Sequence, residues 1–175
     1  MRTVELLVDE ETEERVREVW RRLGAAGLPS LASHRHPTNR PHLTLATTTR
    51  EIPPTTWYDL SSALTALPLP LALTGVLRFS GRTEVLAWRV AAEAGLAALH
   101  RRVWTVLHED DASGANPLHA PGAWTPHLTL GRTRGGTTSP WPEERLPAEL
   151  SEAWRGTFTG ARSYDSATRT VTPLR

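Results

Sequence analysis

The chain contains no cysteine and no lysine among its 175 residues. Because there is no thiol, disulfides, thiolate metal sites and cysteine nucleophiles are excluded. Because there is no lysyl amine, Schiff bases, lysyl-nucleotide intermediates and the P-loop lysine are excluded, and with them conventional ATP-driven ligation. All 20 basic residues are arginine, which stays charged and presents a planar fork that suits phosphate.

Long hydrophobic runs are also missing. No apolar stretch approaches the about 20 residues of a membrane span. The N-terminal sequence MRTVELLVDEE is acidic, where a signal peptide would be basic and then apolar. We therefore expect a cytoplasmic protein with no membrane partner. The formal net charge of +1 gives no overall attraction to nucleic acid, so any anion site must be local.

The pentapeptide PHLTL is present twice, at 41–45 and at 126–130. The offset from His42 to His127 is 85 residues, and it also relates His34 to His119, Phe79 to Tyr164, and the Thr-Gly pairs at 74–75 and 159–160. A shared offset favours duplication of a half-domain over a chance repeat. Two such halves usually pack about a pseudo-twofold axis, as identical subunits do.

Hydrophobic periodicity predicts the same order of elements in both halves: strand, helix, loop, HLTL strand, linker and strand. The predicted strands cover 4–8, 42–45, 70–80, 83–90, 127–130 and 158–164, and the predicted helices cover 11–26 and 91–109. A linker is placed around 53–54, a polar-apolar segment continues from it to Ala66, and 139–150 is interpreted as a proline-rich loop. The sequence thus predicts one α+β domain over 1–175, with pseudo-repeat lobes of roughly 1–80 and 81–175 that can exchange strands.

Each HLTL motif alternates polar and apolar residues, as a half-buried strand does. His42 and Thr44 therefore share one face while the leucines face the core, and the same holds for His127 and Thr129. A twofold packing brings two imidazoles and two hydroxyls together across one cleft. One imidazole can accept a proton while the other donates one, and the hydroxyls can bond phosphoryl oxygens, so the site could split a phosphodiester without a metal.

The two motifs resemble the His-x-Thr-x signatures of the two-histidine (2H) phosphoesterases, which include the 2′-5′ RNA ligase-like proteins and the RNA 2′,3′-cyclic phosphodiesterases. The resemblance covers most of the chain. It implies a bilobal fold in which two antiparallel sheets face a central cleft with helices packed outside. It also implies that His42 and His127 are catalytic and that Thr44 and Thr129 bind substrate.

Many relatives extend the second motif with arginine, and here HLTLGR supplies Arg132 as a further substrate-binding residue. Strict alternation from His127 would place Arg132 on the leucine face, away from the cleft. We therefore predict an irregularity of the strand at Gly131, because glycine allows such a break. The matching position of the first half is Thr47, so the two halves should differ in function.

The predicted function is that of a metal-independent phosphodiesterase with no cofactor, acting as a monomer. It would open 2′,3′-cyclic phosphates of RNA ends or small cyclic nucleotides, and its reverse reaction would join a 5′-hydroxyl to a cyclic end in a 2′-5′ linkage. The alternative is a non-catalytic RNA-end or nucleotide-binding protein on the same fold. The motifs specify a phosphodiester and leave open the base, the chain length and which histidine is the acid.

Three loop histidines have more than one interpretation. His34 and His119 are either ordinary loop residues or contacts to the substrate. A zinc site formed by His34, His36 and His42 is a further interpretation, although no carboxylate or cysteine stands at a recognisable ligand spacing.

Tryptophans and loop arginines are likewise open to interpretation. The tryptophans predicted to lie in the core, because they fall on apolar stripes, are Trp20, Trp88 and Trp104. Those that could instead stack a base are Trp124 and Trp141, which lie in loops beside the second motif. The arginines that either guide phosphate inward or remain solvated are Arg35, Arg40 and Arg134.

Overall fold

The computed structural model describes residues 1–136 and 140–175 and has the predicted α+β class. Its strands are β1 (Arg2–Val8), β2 (His42–Thr48), β3 (Leu69–Phe79), β4 (Thr83–Val90), β5 (His127–Arg134), β6 (Trp154–Asp165) and β7 (Thr170–Pro173). Its helices are α1 (Glu10–Ala25), α2 (Pro54–Ala63) and α3 (Ala94–His108). None of the described helices is long and apolar enough to cross a membrane.

The first strand and helix form for reasons visible in the sequence. Asp9 separates them and caps α1, because its Oδ1 accepts a hydrogen bond of 2.8 Å from the backbone N–H of Thr12. Acidic residues fill the first turn, where the helix dipole favours negative charge. The buried apolar face of α1 consists of Val16, Val19, Trp20 and Leu23.

All seven strands belong to one antiparallel sheet, in the order β2-β1-β6-β3-β4-β5, with β7 also paired to β6. The long strand β6 joins two arms of this sheet. Its residues 154–158 pair with β3, and its residues 158–165 pair with β1. The two sheets that the resemblance implies are therefore two arms that continue into each other through β6.

The two halves of the sequence exchange strands between the arms. β1 and β2, from the first half, pair with the C-terminal part of β6, whereas β4 and β5, from the second half, pair with β3. Each arm thus contains strands from both halves. The helices cover the apolar side, with α1 against β5 and β6 and α3 against β2 and β3.

The leucines of both motifs are in the core, as alternation predicts. Leu43, Leu45, Leu128 and Leu130 are each 0 % exposed. They join a single hydrophobic cluster that also contains residues of α1, α2 and α3. The motif strands are therefore fixed from behind by packing, and their polar side chains are left on the opposite face.

Two elements differ from the sequence prediction. The predicted linker after Pro53 is the helix α2, which begins at Pro54, a position where proline's missing N–H costs nothing. No side chain caps α2, and burial of Leu60 and Ala63 anchors it. All four residues of strand β7 are exposed, and the strand pairs with the end of β6, so it has no buried apolar pattern to reveal it. Of the predicted proline-rich loop, Ser139 lies outside the described residues.

Candidate active site

His42 and His127 stand at the first positions of β2 and β5. Nδ1 of His42 bonds the carbonyl oxygen of Arg40, and Nδ1 of His127 bonds that of Thr125, both at 2.7 Å. Because a carbonyl only accepts, Nδ1 must donate, and the proton of the neutral ring lies there. Nε2 of each ring is the nitrogen left to take up or release a proton.

The two motif strands lie at opposite ends of the strand order and pack near each other. Two tryptophans donate hydrogen bonds to main-chain carbonyls of these strands. Nε1 of Trp124 donates to the carbonyl of Thr44 at 3.0 Å, and Nε1 of Trp20 donates to that of Thr129 at 3.1 Å. The two threonines are therefore held by matching bonds at matching positions.

A cleft of about 440 Å³ opens beside these strands. It is lined by three of the predicted site residues, His42, Thr44 and Arg132, whereas His127 and Thr129 are outside its lining. The pKa of His127 is below its usual range, first because the ring is buried and then because the charges of His42 and Arg132 are close. His127 is thus close enough to His42 and Arg132 to feel their charges, and Thr129 lies two residues further along β5.

A β-bulge interrupts each motif strand at the same place. The extra residue is Leu45 in β2 and Leu130 in β5, where the pairing register shifts by one. The predicted irregularity beside Gly131 is therefore present. It brings Arg132 to the cleft, and in β2 the corresponding bulge does the same for Thr47.

Gly131 is required by a close approach of another segment. A Cβ at this position would collide with the carbonyl oxygen of Pro29 and would lie 3.1 Å from Cζ2 of Trp141. That carbonyl also accepts a hydrogen bond of 2.9 Å from Nε1 of Trp141. The bulge in β5 thus packs directly against the loop that follows α1.

A buried ion pair lies beside His42. Nε of Arg162 donates to Oε2 of Glu5 at 2.7 Å, and the two residues are 5 % and 2 % exposed. Oε1 of Glu5 accepts a bond of 2.6 Å from the hydroxyl of Thr3 and lies 3.6 Å from Nε2 of His42. A carboxylate therefore faces the reactive nitrogen of His42. In the described part of the chain, His127 forms no ion pair of this kind.

The two walls of the site differ in polarity. Behind the first motif, β1 and β6 present polar side chains, which are Thr3, Glu5, Arg162 and Tyr164. The corresponding register positions of β4 and β3 are apolar, and they are Val85, Ala87, Leu77 and Phe79. The ring of Phe79 packs on His127 with a centroid separation of 4.8 Å. This apolar wall is why burial lowers the pKa of His127.

Sequence reasoning missed Glu5, Arg162 and Thr3. The alternation of polar and apolar residues in β1 could have indicated two of them. Thr3 and Glu5 alternate with Val4 and Leu6, so they share the face of the strand opposite the core. That the opposite face is a cleft, and that Arg162 closes the ion pair, depends on the pairing of β1 with β6.

His34 and His119 both line the cleft, in keeping with their shared offset. Each sits at the end of a short 3-10 turn that a polar side chain caps. Burial, then the charges of His127 and His100, lower the pKa of His119 to about 4. Its Nδ1 is buried without a hydrogen-bond partner in the structure as described. At neutral pH this ring is therefore an uncharged part of the cleft wall.

The two tryptophans considered for base stacking are both engaged elsewhere. Trp141 is 1 % exposed and belongs to the core, so this interpretation is wrong for it. One face of Trp124 is covered by His100, whose ring is parallel at 3.9 Å. Of the tryptophans predicted as core, Trp20 and Trp88 are buried and Trp104 packs half-buried against the cluster.

The loop arginines have different environments. Arg40 pairs with Glu13 of α1 at 2.5 Å. Arg35 and Arg134 are exposed.

The candidate zinc ligands do not form a ligand set. Within residues 1–136 and 140–175, no group of three or more histidine and carboxylate side chains could hold a metal ion. His34, His36 and His42 line the same cleft without converging on one point.

An α+β fold in which two arms of an antiparallel sheet carry paired histidine motifs is that of the two-histidine phosphoesterases. A family model described as the 2′-5′ RNA ligase superfamily matches residues 8–164, and the chain belongs to that superfamily.

Solved structures share this fold at low sequence identity. E. coli LigT complexed with 3′-AMP aligns with a TM-score of 0.62 at 19% identity, over 99% of this chain and 94% of that one. The Thermus thermophilus protein TT0787 gives 0.60 at 20% identity, over 99% and 94%. Kluyveromyces marxianus Usb1 with uridine monophosphate gives 0.57 at 13% identity, over 99% and 97%. The comparison with curated proteins gave no match.

Proposed function

We propose that the protein is a metal-independent phosphodiesterase that opens 2′,3′-cyclic phosphates at RNA ends or on nucleotides. The observation that supports this best is the matched pair of imidazoles, each bonded through Nδ1 to a main-chain carbonyl and each left with Nε2 free for proton transfer. E. coli LigT and K. marxianus Usb1 have been solved with nucleoside monophosphates, which supports a nucleotide ligand for this cleft as well.

The neighbours of the two histidines support an assignment of their roles. The lowered pKa of His127 keeps its Nε2 unprotonated, which suits a general base. Oε1 of Glu5, 3.6 Å from Nε2 of His42, places negative charge beside that nitrogen, which suits a general acid. We therefore propose His127 as the base and His42 as the acid of the opening reaction.

In the proposed reaction, Nε2 of His127 removes a proton from water as its oxygen bonds to phosphorus. The bond from phosphorus to one ribose oxygen breaks, and His42 delivers its Nε2 proton to that oxygen. The products are a free ribose hydroxyl and a phosphomonoester. Both histidines have then exchanged protonation states, and solvent restores them.

The remaining motif residues would act on the phosphoryl group. The hydroxyls of Thr44 and Thr129 can donate to its non-bridging oxygens. Arg132 would offset the negative charge that builds on those oxygens in the transition state. With a 5′-hydroxyl in place of water, the same ring opening would bond the 5′-oxygen to phosphorus and break the bond to the 3′-oxygen, which His42 protonates. The product is a 2′-5′ linkage, with ring strain as the driving force instead of ATP.

The test is turnover of an RNA oligomer ending in a 2′,3′-cyclic phosphate, measured in excess EDTA. His42→Ala and His127→Ala should each lower kcat by about 10²-fold or more, because each removes one proton-transfer group. The double variant should be much less than multiplicatively worse, since the pair acts as a unit. Circular dichroism verifies that each variant is folded.

His36→Ala is a matched control, because that ring is exposed and bonds Thr38 of its own loop at 2.8 Å. It should keep near-normal turnover. Near-normal turnover by either His42→Ala or His127→Ala would contradict the mechanism. Tight binding of the oligomer by the wild type with no turnover would favour the non-catalytic alternative.

A further inference from the structure

Beyond the bulge, β5 presents two arginines in a row. Arg132 and Arg134 are two positions apart, so they lie on the same face of the strand, about 6.8 Å from each other along it. Both are exposed, and Arg132 lines the cleft. Arg134 is therefore the next guanidinium beyond the cleft, at a spacing similar to that of successive phosphates in an extended nucleic acid strand.

Arg82 lies at the same corner of the molecule. The backbone N–H of Gly135 donates to its carbonyl at 2.9 Å, and a Cβ on Gly135 would collide with the carbonyl oxygen of Gly81. The β3–β4 turn and the end of β5 are thus fixed together. Neither Arg82 nor Arg134 forms an ion pair with any carboxylate in the described ranges, whereas nine other arginines do.

The first half has no counterpart of this corner. Its matching positions are Thr47 and Thr49, which are uncharged. The loop before the second motif also covers the end of β2, because the N–H of Thr49 donates to Gly114 at 3.1 Å and Arg50 pairs with Asp111 at 2.6 Å. The end of β2 therefore offers no arginine at the positions that correspond to Arg132 and Arg134.

We infer that Arg134 binds the phosphate on the 5′ side of the terminal nucleotide, so that the preferred substrate is an RNA strand of at least two nucleotides. This rests on the proposed function, because the cyclic end must occupy the histidine site. A guanidinium binds phosphate through a planar fork of N–H donors, and the contact is independent of the base. A lone nucleoside 2′,3′-cyclic phosphate reaches Arg132 and has no group to place on Arg134.

The experiment compares a nucleoside 2′,3′-cyclic phosphate with a dinucleotide that ends in the same group. The dinucleotide should have a kcat/KM about 3- to 10-fold higher, as one added arginine–phosphate contact allows. Arg134→Ala should remove this advantage and leave turnover of the mononucleotide unchanged. For the dinucleotide, the slope of log kcat/KM against log salt should become shallower by about 0.7, the value for one contact on a single strand.

Arg102→Ala is the matched control, because Arg102 is an exposed arginine on α3, outside the cleft lining. It should change neither substrate. Equal kcat/KM for both substrates in the wild type would overturn the inference, as would an equal loss on both substrates in Arg134→Ala. If neither substrate is turned over, the proposed function fails. The inference about Arg134 is then tested by measuring binding instead of turnover. The ligands are a mononucleotide and a dinucleotide that both end in a 3′-phosphate. If the wild type binds them with equal dissociation constants, the inference is overturned too.

Discussion

His42 and His127 make the same backbone hydrogen bond and have different neighbours. Burial against Phe79 surrounds one ring with apolar atoms, while Glu5 places a carboxylate beside the other. Arg162 and Thr3 hold that carboxylate in place. The sequence identity of the two motifs therefore conceals a difference in environment, and the proposed roles of acid and base rest on this difference.

Glu5→Gln tests this separation. Without the carboxylate, the negative charge beside Nε2 of His42 is lost, so the limb of kcat/KM that falls at high pH should move to lower pH. The low-pH limb, which reports the base, should stay in place. The measurement is kcat/KM against pH for the wild type and the variant.

The variant leaves Arg162 buried without its partner, which can destabilise the fold by several kcal/mol. The double variant Glu5→Gln with Arg162→Gln removes both charges and provides a second measurement of the same limb. If the high-pH limb keeps its position in a folded variant, Glu5 does not set the role of His42.

Much of the candidate site could be predicted from single residues, because the pattern that indicates it lies within a few consecutive positions. Alternation within four residues places His42 and Thr44 on one face, and the repeat places their counterparts. Glu5 and Arg162 could not be paired in this way, since they are 157 positions apart and meet only through the pairing of β1 with β6. Of the two interpretations of Trp141, base stacking is excluded by its burial, which packing against the loop after α1 decides.

At the scale of elements, the bulge in β5 determines which side chains reach the cleft. Gly131→Ala should destabilise the protein by about 1–3 kcal/mol, because the new methyl group must displace the Pro29 backbone or the bulge. Since Arg132 follows directly, kcat/KM should fall as well. The measurements are urea unfolding and turnover of the cyclic-phosphate oligomer.

Gly81→Ala is the control for this substitution, because nothing lies within 4 Å of a Cβ there. Its free energy of unfolding should change by less than about 0.5 kcal/mol. Equal stability of the two variants would mean that the contact with Pro29 yields without cost and that the bulge does not depend on glycine.

Element boundaries were predictable where periodicity was strong. The strand predicted over 83–90 matches β4, and the helix predicted over 11–26 differs from α1 by one residue at each end. The helix α2 was missed because two prolines and two threonines precede its buried residues, so the local signal is that of a linker. Its helical form depends on packing against α3, which the sequence does not display.

At the scale of the whole molecule, partly buried histidines link stability to pH. The pKa is lowered, chiefly by burial, for His100, His108, His119 and His127. In the unfolded chain these rings titrate near 6.5, and His119 in the folded protein titrates at about 4. Between these values the unfolded chain binds more protons than the folded one, so stability falls as the pH decreases through this window.

The free energy of unfolding should accordingly be lower at pH 5 than at pH 7.5, by roughly 1 kcal/mol or more. At pH 5 most carboxylates are still charged in both states, so histidines dominate the change. His119→Asn should make the dependence shallower, whereas the same change at the exposed His36 should not. Urea unfolding at the two pH values provides the measurement, and an unchanged midpoint for the wild type would contradict the prediction.

Strand β6 belongs to both walls of the cleft, since it pairs with β3 at one end and with β1 at the other. The walls consequently cannot swing apart on a flexible hinge, as two domains joined by a linker do, without breaking the ladder of a central strand. Substrate therefore enters a groove whose width is already set, and adjustment is confined to side chains and rim loops. The free energy needed to order the cleft is supplied during folding, so little further ordering is needed when a ligand binds.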